Sequence, residues 1–256
     1  ASMGNSDKLQ MSIIAQEVER ELGITVEIGG AEAEAAILGA LTTPGTDRPL
    51  AILDLGAGST DASIIDSRGE IMAVHLAGAG DMVTMLINSE LGLENHHLAE
   101  DIKRYPLAKV ESLFHIRHED GTVQFFDQPL SSDLFARVVI VKGEEEFVPL
   151  NNQDYSIEKI RLVRQSAKER VFVTNAIRAL KRVSPTENIR DIPFVVIVGG
   201  SALDFEIPQL VTEALSQHAI VAGRGNVRGN EGPRNAVATG LILTYAREAE
   251  GGRYDY

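Results

Sequence analysis

Two carboxylates flank a glycine-rich turn in the segment LAILDLGAGSTDASI, which covers residues 50–64. One apolar run ends at Asp54, and a second begins after Asp61. Glycine at positions 56 and 58 allows the backbone to adopt positive φ and to approach a ligand closely. Successive amide N–H groups in such a turn bind anions, and each charge-assisted hydrogen bond contributes roughly 1.5–3 kcal/mol. The pattern predicts a β-hairpin that holds phosphate.

The two carboxylates restrict how phosphate can bind beside them. Asp54 and Asp61 repel a polyanion unless a hard cation lies between, and Mg²⁺ bound largely through water is the cation that fits this requirement. The structural alternative is an ordinary glycine-rich hairpin in which Asp61 only stabilises the turn.

Two further glycine turns follow apolar strands, one after Ala77 and one after Val198. Gly199 and Gly200 would allow close passage of an adenine or a ribose, and Ser201 offers a hydroxyl, although a tight strand-to-helix connection explains these residues equally well. Ligands on α/β sheets bind where strand ends meet helix N-termini. We therefore expect the three turns to converge on one crevice.

Composition excludes several classes of protein. The 256 residues contain no cysteine, which excludes disulfides, thiolate metal sites and cysteine nucleophiles and fits a reducing cytoplasm. The net charge of −13 argues against a nucleic-acid partner. No apolar run approaches the roughly 20 residues of a membrane span, so we expect no membrane partner. The histidines show no spacing typical of zinc ligands.

Hydrophobic periodicity outlines the elements. It predicts a helix over residues 6–22, a short strand through Ile24, Val26 and Ile28, and a helix over residues 31–41. The hairpin strands and a third strand form a meander, which is followed by a helix that Asp81 caps. Further predicted elements are a long helix over 156–183, a central parallel strand over 194–198, a short strand over 219–222 and a last helix over 233–248. Small residues four apart in the second and last helices favour a close helix crossing, although packing on the sheet is an equal alternative.

This order of elements predicts an α/β fold with a ribonuclease-H-like core, in which helices flank a mixed sheet. We assign the core to residues 5–92 and 156–250 and an inserted α+β lobe to residues 93–155. Residues 1–4 have the composition of a vector scar, and residues 251–256 form a polar tail.

The motifs ILDLGAGSTDASI, FVVIVGGSALDFEIPQL and PRNAVATGL resemble, in this order, the second phosphate loop, the adenosine loop and the second connecting helix of actin-like ATPases. The resemblance implies a fold of the actin type. It also implies that Asp54 orients the Mg²⁺ shell or the attacking water. Residues 31–41 resemble the first connecting helix without its usual Glu-Pro start, and Glu32 is the candidate for its acidic residue, with Glu34 as the competitor.

The same resemblance implies a nucleotide site built mostly from the backbone. The residues that would hold the β- and γ-phosphates are Gly56, Ala57, Gly58, Ser59 and Thr60. The residues that would border the adenosine are Gly199, Gly200 and Ser201. Ala57 and Ser59 depart from the residues that many relatives carry there, so phosphate geometry can differ slightly.

Four segments, LAILDLGAGSTDA, AVHLAGAGDMV, YPLAKVESLF and EGPRNAVATG, look like the large-subunit family of diol or glycerol dehydratase-reactivating factors. That resemblance implies an ATP-dependent, chaperone-like protein that uses ATP/ADP and Mg²⁺. Its implied partners are a small subunit and an adenosylcobalamin-dependent diol or glycerol dehydratase, from which it releases damaged cobalamin. It also implies a cytoplasmic location, beside a bacterial microcompartment.

Actin-like ATPases close two similar halves over the nucleotide, and no Asp-Gly phosphate loop of the first half precedes residue 31 here. We therefore expect weak nucleotide binding and little hydrolysis by this chain alone, because phosphoryl transfer depends on positioning from both sides. The alternative hypothesis is a non-catalytic, actin-like interaction module that docks a protein through the acidic lobe. A sugar kinase fits less well because no sugar-binding half accompanies the motifs.

Overall fold

The computed structural model describes residues 8–46, 50–66, 68–144, 146–150 and 156–249. The predicted vector scar and polar tail lie outside these residues. The helices are α1 (Lys8–Leu22), α2 (Glu32–Ala40), α3 (Gly80–Glu90), α4 (His96–Arg104), α5 (Ile157–Lys168), α6 (Thr174–Val183), α7 (Ile207–Ser216) and α8 (Ala236–Ala249). The strands are β1 (Leu50–Leu55), β2 (Ser59–Ile65), β3 (Ile71–Ala77), β4 (Leu107–Ser112), β5 (His115–His118), β6 (Val123–Phe125), β7 (Val138–Val141), β8 (Phe147–Pro149), β9 (Phe194–Val198) and β10 (Val221–Arg224).

The first sheet has five strands in the order β10-β9-β1-β2-β3. β1, β2 and β3 form an antiparallel meander, whereas β9 runs parallel to both β1 and β10. The predicted meander and the predicted central strand over residues 194–198 are confirmed. β10 begins two residues later than predicted, because Ala219 lies in the turn after α7 with a φ of 62°.

Side-chain alternation along β1 divides the core into two layers, because successive residues of a strand point to opposite faces. Leu50 and Ile52 pack with Ile37 of α2 and Ala236 of α8 on one face. Leu53 and its alternate neighbours pack on the other face, in the larger cluster that includes residues of α3, α5, α6 and α7. Asp54 continues the face of Leu50 and Ile52, so its carboxylate lies on the side of the sheet that α2 covers.

Helices α2 and α8 cross at backbone contact. A Cβ atom built on Gly39 would lie 1.8 Å from the carbonyl oxygen of Ala236, and one built on Gly240 would lie 1.8 Å from the carbonyl oxygen of Ala35. Any side chain larger than hydrogen would separate the two helices. The close crossing predicted from the small residues is confirmed.

The second sheet is antiparallel throughout and has the strand order β6-β5-β4-β7-β8. It lies within the predicted inserted lobe. Leu107 and Ile140 are cross-strand partners and belong to the larger core cluster, whereas Val110 and Ile116 contribute to a small core of their own. One face of the second sheet is therefore continuous with the core of the first sheet.

Two local predictions are wrong. Residues 23–31 contain no regular element, so the predicted strand through Ile24, Val26 and Ile28 is absent; their alternation has no neighbouring strand to pair with, and Ile24 and Ile28 are exposed. Asp81 does not cap α3, because the helix begins at Gly80 without a side-chain cap and the Asp81 N–H donates to the carbonyl of Ala57 at 2.8 Å.

The long helix predicted over residues 156–183 is confirmed in extent, but a π-helical turn at Glu169–Val173 joins α5 to α6. No helix in the described parts of the chain is long and apolar enough to cross a membrane.

Candidate functional site

The strands β1, β3 and β9 all end at the same edge of the first sheet, and a glycine turn follows each of them. The turn at residues 78–80 lies directly against the turn at residues 56–58. The N–H groups of Gly78 and Gly80 donate to the carbonyls of Gly58 and Gly56 at 2.8 and 3.3 Å. The β3–α3 connection thereby fixes the outer side of the hairpin turn.

The turn after β9 reaches the same place. The Ser201 hydroxyl donates to the carbonyl of Gly56 at 2.9 Å. Gly199 has a φ of +94°, and a Cβ atom built on it would lie 2.3 Å from Oδ1 of Asp54. Only glycine fits between the carboxylate and the backbone of β1 at this position. The predicted convergence of the three glycine turns is confirmed.

The backbone of the turns at residues 56–58 and 199–201 borders this crevice. The Gly56 N–H closes the hairpin turn on the carbonyl of Ser59 at 3.0 Å, but no backbone acceptor in the described part of the chain takes the N–H of Ala57 or Gly58. A Cβ atom built on Gly58 or on Gly200 would meet nothing within 4 Å. The backbone is thus open to a ligand at both turns.

The hydroxyl side chains of the motifs are directed into the protein. Thr60 is buried and donates to the carbonyl of Gly78 at 3.1 Å, while the Ser59 hydroxyl donates to Asp61 Oδ2 at 2.9 Å. Together with Ser201, these residues hold the turns in place. An anion in the crevice would therefore bind to the backbone of these residues rather than to their hydroxyl groups.

Asp54 begins a row of ionisable side chains across the meander. The pairing register places Asp54 opposite Asp61, and Asp61 opposite His75. His75 Nδ1 lies 2.6 Å from Asp61 Oδ1, without the alignment of a hydrogen bond. Glu32, in the first turn of α2, faces the same space, and Glu34 does not line it. These four side chains line a cavity of about 440 Å³ between α2 and the strands.

The carboxylates of this cavity disfavour one another's charge. Burial, followed by the negative charges of Asp61 and Glu32, raises the pKa of Asp54 to about 6. Burial and Asp61 also raise the pKa of Glu32, partly offset by His75. A cation beside Asp54 would relieve this repulsion.

The donor set fits Mg²⁺ held mainly by water and by the oxygens of a ligand. Carboxylate oxygens are the protein ligands that Mg²⁺ prefers, and one or two usually suffice. Asp54 and Glu32 supply that number. In the part of the chain that the structure describes, no three His, Asp or Glu side chains converge closely enough to hold a metal by themselves.

Two supporting residues were not predicted from the sequence. The buried Lys103 of α4 donates to the carbonyl of Gly80 at 3.1 Å and to the Thr84 hydroxyl at 2.8 Å. Asn175 of α6 donates to the carbonyl of Gly78 at 2.8 Å. Each interrupts an otherwise apolar helix face, and a polar residue at such a position is the signal that could have identified them.

Comparison with known proteins identifies relatives by sequence and by structure. The chain is 72% identical over 248 residues to the propanediol dehydratase-reactivating factor large subunit of Salmonella typhimurium strain LT2, covering 97% of this chain and 40% of that protein. A solved structure of diol dehydratase-reactivating factor in nucleotide-free form superposes with a TM-score of 0.85 at 72% identity, over 94% of this chain and 40% of that one. The chain spans about 40% of the length of these relatives.

A more distant structure supports the fold alone. MreB5 of Spiroplasma citri bound to ADP superposes with a TM-score of 0.55 at 21% identity, over 97% of this chain and 69% of that one. The predicted actin-type α/β fold is therefore confirmed. Residues 1–245 match the family described as diol dehydratase reactivase ATPase-like domain. The chain belongs to that family.

Proposed function

We propose that this chain is the nucleotide-binding part of an ATP-dependent dehydratase reactivase. The observation that carries the proposal is the convergence of the turns at residues 56–60, 78–80 and 199–201 at one sheet edge, where Ser201 contacts Gly56 and Gly199 contacts Asp54. The arrangement offers backbone donors for an anion beside a carboxylate that needs a cation. A magnesium-bound nucleoside di- or triphosphate satisfies both requirements.

In this proposal the backbone of residues 56–60 holds the β- and γ-phosphates, and residues 199–201 border the adenosine. Asp54 and Glu32 hold the water shell of Mg²⁺, and Asp61 serves as the support of the turn through its contact with Ser59. Bound Mg²⁺ would neutralise phosphate charge during phosphoryl transfer. Asp54 would also orient the attacking water by accepting a hydrogen bond from it.

The client and the partners follow from the family. Relatives of 72% identity carry the name dehydratase-reactivating factor large subunit, so a small subunit and an adenosylcobalamin-dependent diol or glycerol dehydratase are the proposed partners. Nucleotide would bias the protein between two states that differ in affinity for these partners, and the change would release damaged cobalamin from the dehydratase. The proposed location is the cytoplasm, beside a bacterial microcompartment.

A second part of the proposal concerns the rate at which this chain alone hydrolyses ATP. The three turns that form the proposed site all follow strands at one end of the first sheet, and phosphoryl transfer requires positioning from both sides of the nucleotide. We therefore expect the chain alone to bind nucleotide weakly and to hydrolyse ATP slowly. Hydrolysis at the rate of a full-length relative would contradict this part.

Calorimetric titration with Mg-ADP tests the proposal directly. The wild-type chain should release or absorb heat with a single site per chain, and Asp54→Asn should weaken or abolish that binding when Mg²⁺ is present. The matched control is Glu213→Gln, which neutralises an exposed carboxylate on α7 and should leave binding unchanged. No heat from the wild-type chain would favour the alternative of a non-catalytic interaction module.

A further inference from the structure

A cluster of charged side chains lies between the second sheet and the turn that follows β9. Its members, called the ionic cluster below, are Arg164, Lys168, Glu119, Asp204 and Glu206. The two cations are fully buried, with no exposed side-chain surface. The proposed nucleotide site uses none of these residues.

Arg164 of α5 bridges two elements that are distant in sequence. Its Nε and Nη2 donate to the two carboxylate oxygens of Glu206, both at 2.8 Å. Its Nη2 also donates to both oxygens of Glu119, at 3.0 and 2.9 Å. Glu119 lies in the turn between β5 and β6, so Arg164 ties that turn of the second sheet to the start of α7.

Lys168 extends the connection from α5 to the turn after β9. Its Nζ donates to both oxygens of Asp204, at 2.8 and 3.0 Å, and to Glu206 at 2.8 Å. Asp204 ends the short 3₁₀ helix Gly200–Leu203, and its N–H donates to the carbonyl of Ser201 at 3.1 Å. Lys168 thereby holds the far end of the segment whose near end contacts Asp54.

The hairpin turn of the second sheet is held by α5 through its backbone as well. Arg161 donates to the carbonyl of Glu119 at 3.2 Å, and the Glu119 N–H donates to the carbonyl of Leu107 at 2.9 Å. The Glu119 side chain is only 10% exposed. A change at this turn cannot be absorbed by rotation of Glu119 into solvent.

Burial makes the ionic cluster sensitive to the loss of any one charge. A buried cation that loses a carboxylate has no water to replace it, so its remaining partners must rearrange. Burial by itself would raise the pKa of Glu206, but hydrogen bonds and charge from Arg164, with the charge of Lys168, hold that pKa below its usual value. Arg164 and Lys168 also lie over the Phe205 ring, at 4.9 and 4.5 Å from its centre. These contacts hold Phe205 in place between Asp204 and Glu206.

We propose that Arg164 and Lys168 are positioning residues for the turn at residues 199–204, and that they couple this turn to Glu119 in the second sheet. The role in nucleotide binding rests on the function proposed above, whereas the coupling itself does not. A change at the β5–β6 turn is therefore transmitted to the turn after β9 through Arg164, Glu206 and Lys168.

Hydrogen exchange in the chain without nucleotide tests the coupling. Glu119→Gln removes one charge at the hairpin turn and should accelerate amide exchange in residues 200–204 by roughly tenfold. The control is Glu111→Gln on β4, which breaks a partly exposed pair with Arg117 in the same sheet and should leave that segment unchanged. Lys168→Gln should accelerate the same segment at least as much, because it removes the direct contact with Asp204.

Amide hydrogen exchange in α8 distinguishes a local effect on the turn at residues 199–204 from a loss of stability throughout the chain. The proposal is overturned if Glu119→Gln leaves residues 200–204 at the wild-type rate, or if it accelerates α8 by the same factor. If Lys168→Gln does not fold, the Glu119→Gln comparison still decides.

Calorimetry with Mg-ADP provides a second readout. Glu119→Gln should weaken affinity by roughly tenfold relative to Glu111→Gln. Equal affinities in these two variants, beside measurable binding by the wild-type chain, would refute the role in nucleotide binding. No binding by the wild-type chain would instead refute the proposed function, and the exchange experiment would still decide the coupling.

Discussion

Gly199 occupies a position where two independent constraints require glycine. Its φ of +94° is a conformation that side chains disfavour, and a Cβ atom there would lie 2.3 Å from Asp54 Oδ1 and 2.6 Å from the carbonyl oxygen of Leu55. Both obstructing groups belong to β1 in the centre of the sheet. The Leu55 carbonyl cannot move without disturbing the strand, and the Asp54 carboxylate would have to rotate away from its present position.

Gly199→Ala should therefore destabilise the chain by about 2–4 kcal/mol, through backbone strain and displacement of Asp54. Urea unfolding followed by circular dichroism measures this change. The matched control is Gly200→Ala, where a Cβ atom meets nothing within 4 Å, and it should cost less than about 1 kcal/mol. Equal losses in the two variants would show that the space around Gly199 is not limiting.

Asp54 should make stability depend on pH. Burial and the charges of Asp61 and Glu32 raise its pKa from 3.8 to about 6 in the folded chain. Because the folded pKa lies above the unfolded one, ionisation of Asp54 opposes folding above about pH 6, and this penalty fades as the pH falls towards about 4. Asp54→Asn removes the penalty at every pH.

In metal-free buffer, Asp54→Asn should exceed the wild-type free energy of unfolding by about 2–3 kcal/mol at about pH 7.5 and match it near pH 4. Urea unfolding across that pH range provides the measurement. A variant that is less stable than the wild type at about pH 7.5 would mean that the carboxylate makes a favourable contact in the folded chain.

Among these residues, the sequence predicted the site best where the proposed function depends on the backbone. Gly199 has a φ of +94° that other residue types disfavour, whereas Gly56 and Gly58 do not have the positive φ that their glycine residues led us to expect. The inward direction of the Thr60 and Ser201 hydroxyls was not predictable, since it depends on carbonyls of other turns. Lys103 was missed for the same reason, because its acceptor at Gly80 is 23 residues away.

Among helices and strands, the crossing of α2 and α8 is the contact with the least tolerance. Gly39 and Gly240 allow each helix to reach the backbone carbonyls of the other, at positions where a Cβ atom would lie 1.8 Å from oxygen. The crossing also fixes α2, whose first turn carries Glu32 over Asp54. Its geometry therefore affects the site as well as the core.

Gly240→Ala should destabilise the chain by about 2–3 kcal/mol, although alanine favours helix by about 1 kcal/mol. The clash with the Ala35 carbonyl outweighs the propensity because neither backbone can yield locally. The control is the exposed Ala238→Gly in the same helix, which should lose only about 1 kcal/mol of propensity. Thermal unfolding compares the two, and a stabilised Gly240→Ala would contradict the described crossing.

Element predictions succeeded where hydrophobic period and burial agree, as in β1, β9 and the long helix. They failed at Ile24 and Ile28, where alternation exists but no strand lies alongside to pair with it. The π turn at Glu169–Val173 has no local sequence signal. It lies between Lys168, which contacts Asp204, and Asn175, which contacts the carbonyl of Gly78.

For the molecule taken whole, α5 connects the two sheets. Leu107 and Ile140 extend the main core under the second sheet, and the ionic cluster links that sheet to the turn after β9. Sequence spacing could not reveal this link, because Arg164 and Glu206 are 42 residues apart and basic residues on a helix usually face solvent.

Arg164→Met should consequently destabilise the chain by about 3–5 kcal/mol, because it leaves Glu119 and Glu206 buried without their shared cation. The control is Arg117→Met, which breaks a partly exposed ion pair and should destabilise the chain far less. Urea unfolding of both variants in the same buffer gives the comparison. An equal loss of unfolding free energy in both variants would mean that the buried ion pairs of Arg164 contribute no more to stability than a partly exposed pair.

The central claim is that a magnesium-bound nucleotide lies between the turns at residues 56–60 and 199–201. A crystal structure of the chain soaked with Mg-ADP tests it most directly. We predict the diphosphate against the backbone of residues 56–60, the adenosine beside Gly200, and Mg²⁺ within water-mediated reach of Asp54. A nucleotide bound elsewhere on the chain, with this crevice filled only by solvent, would contradict the account.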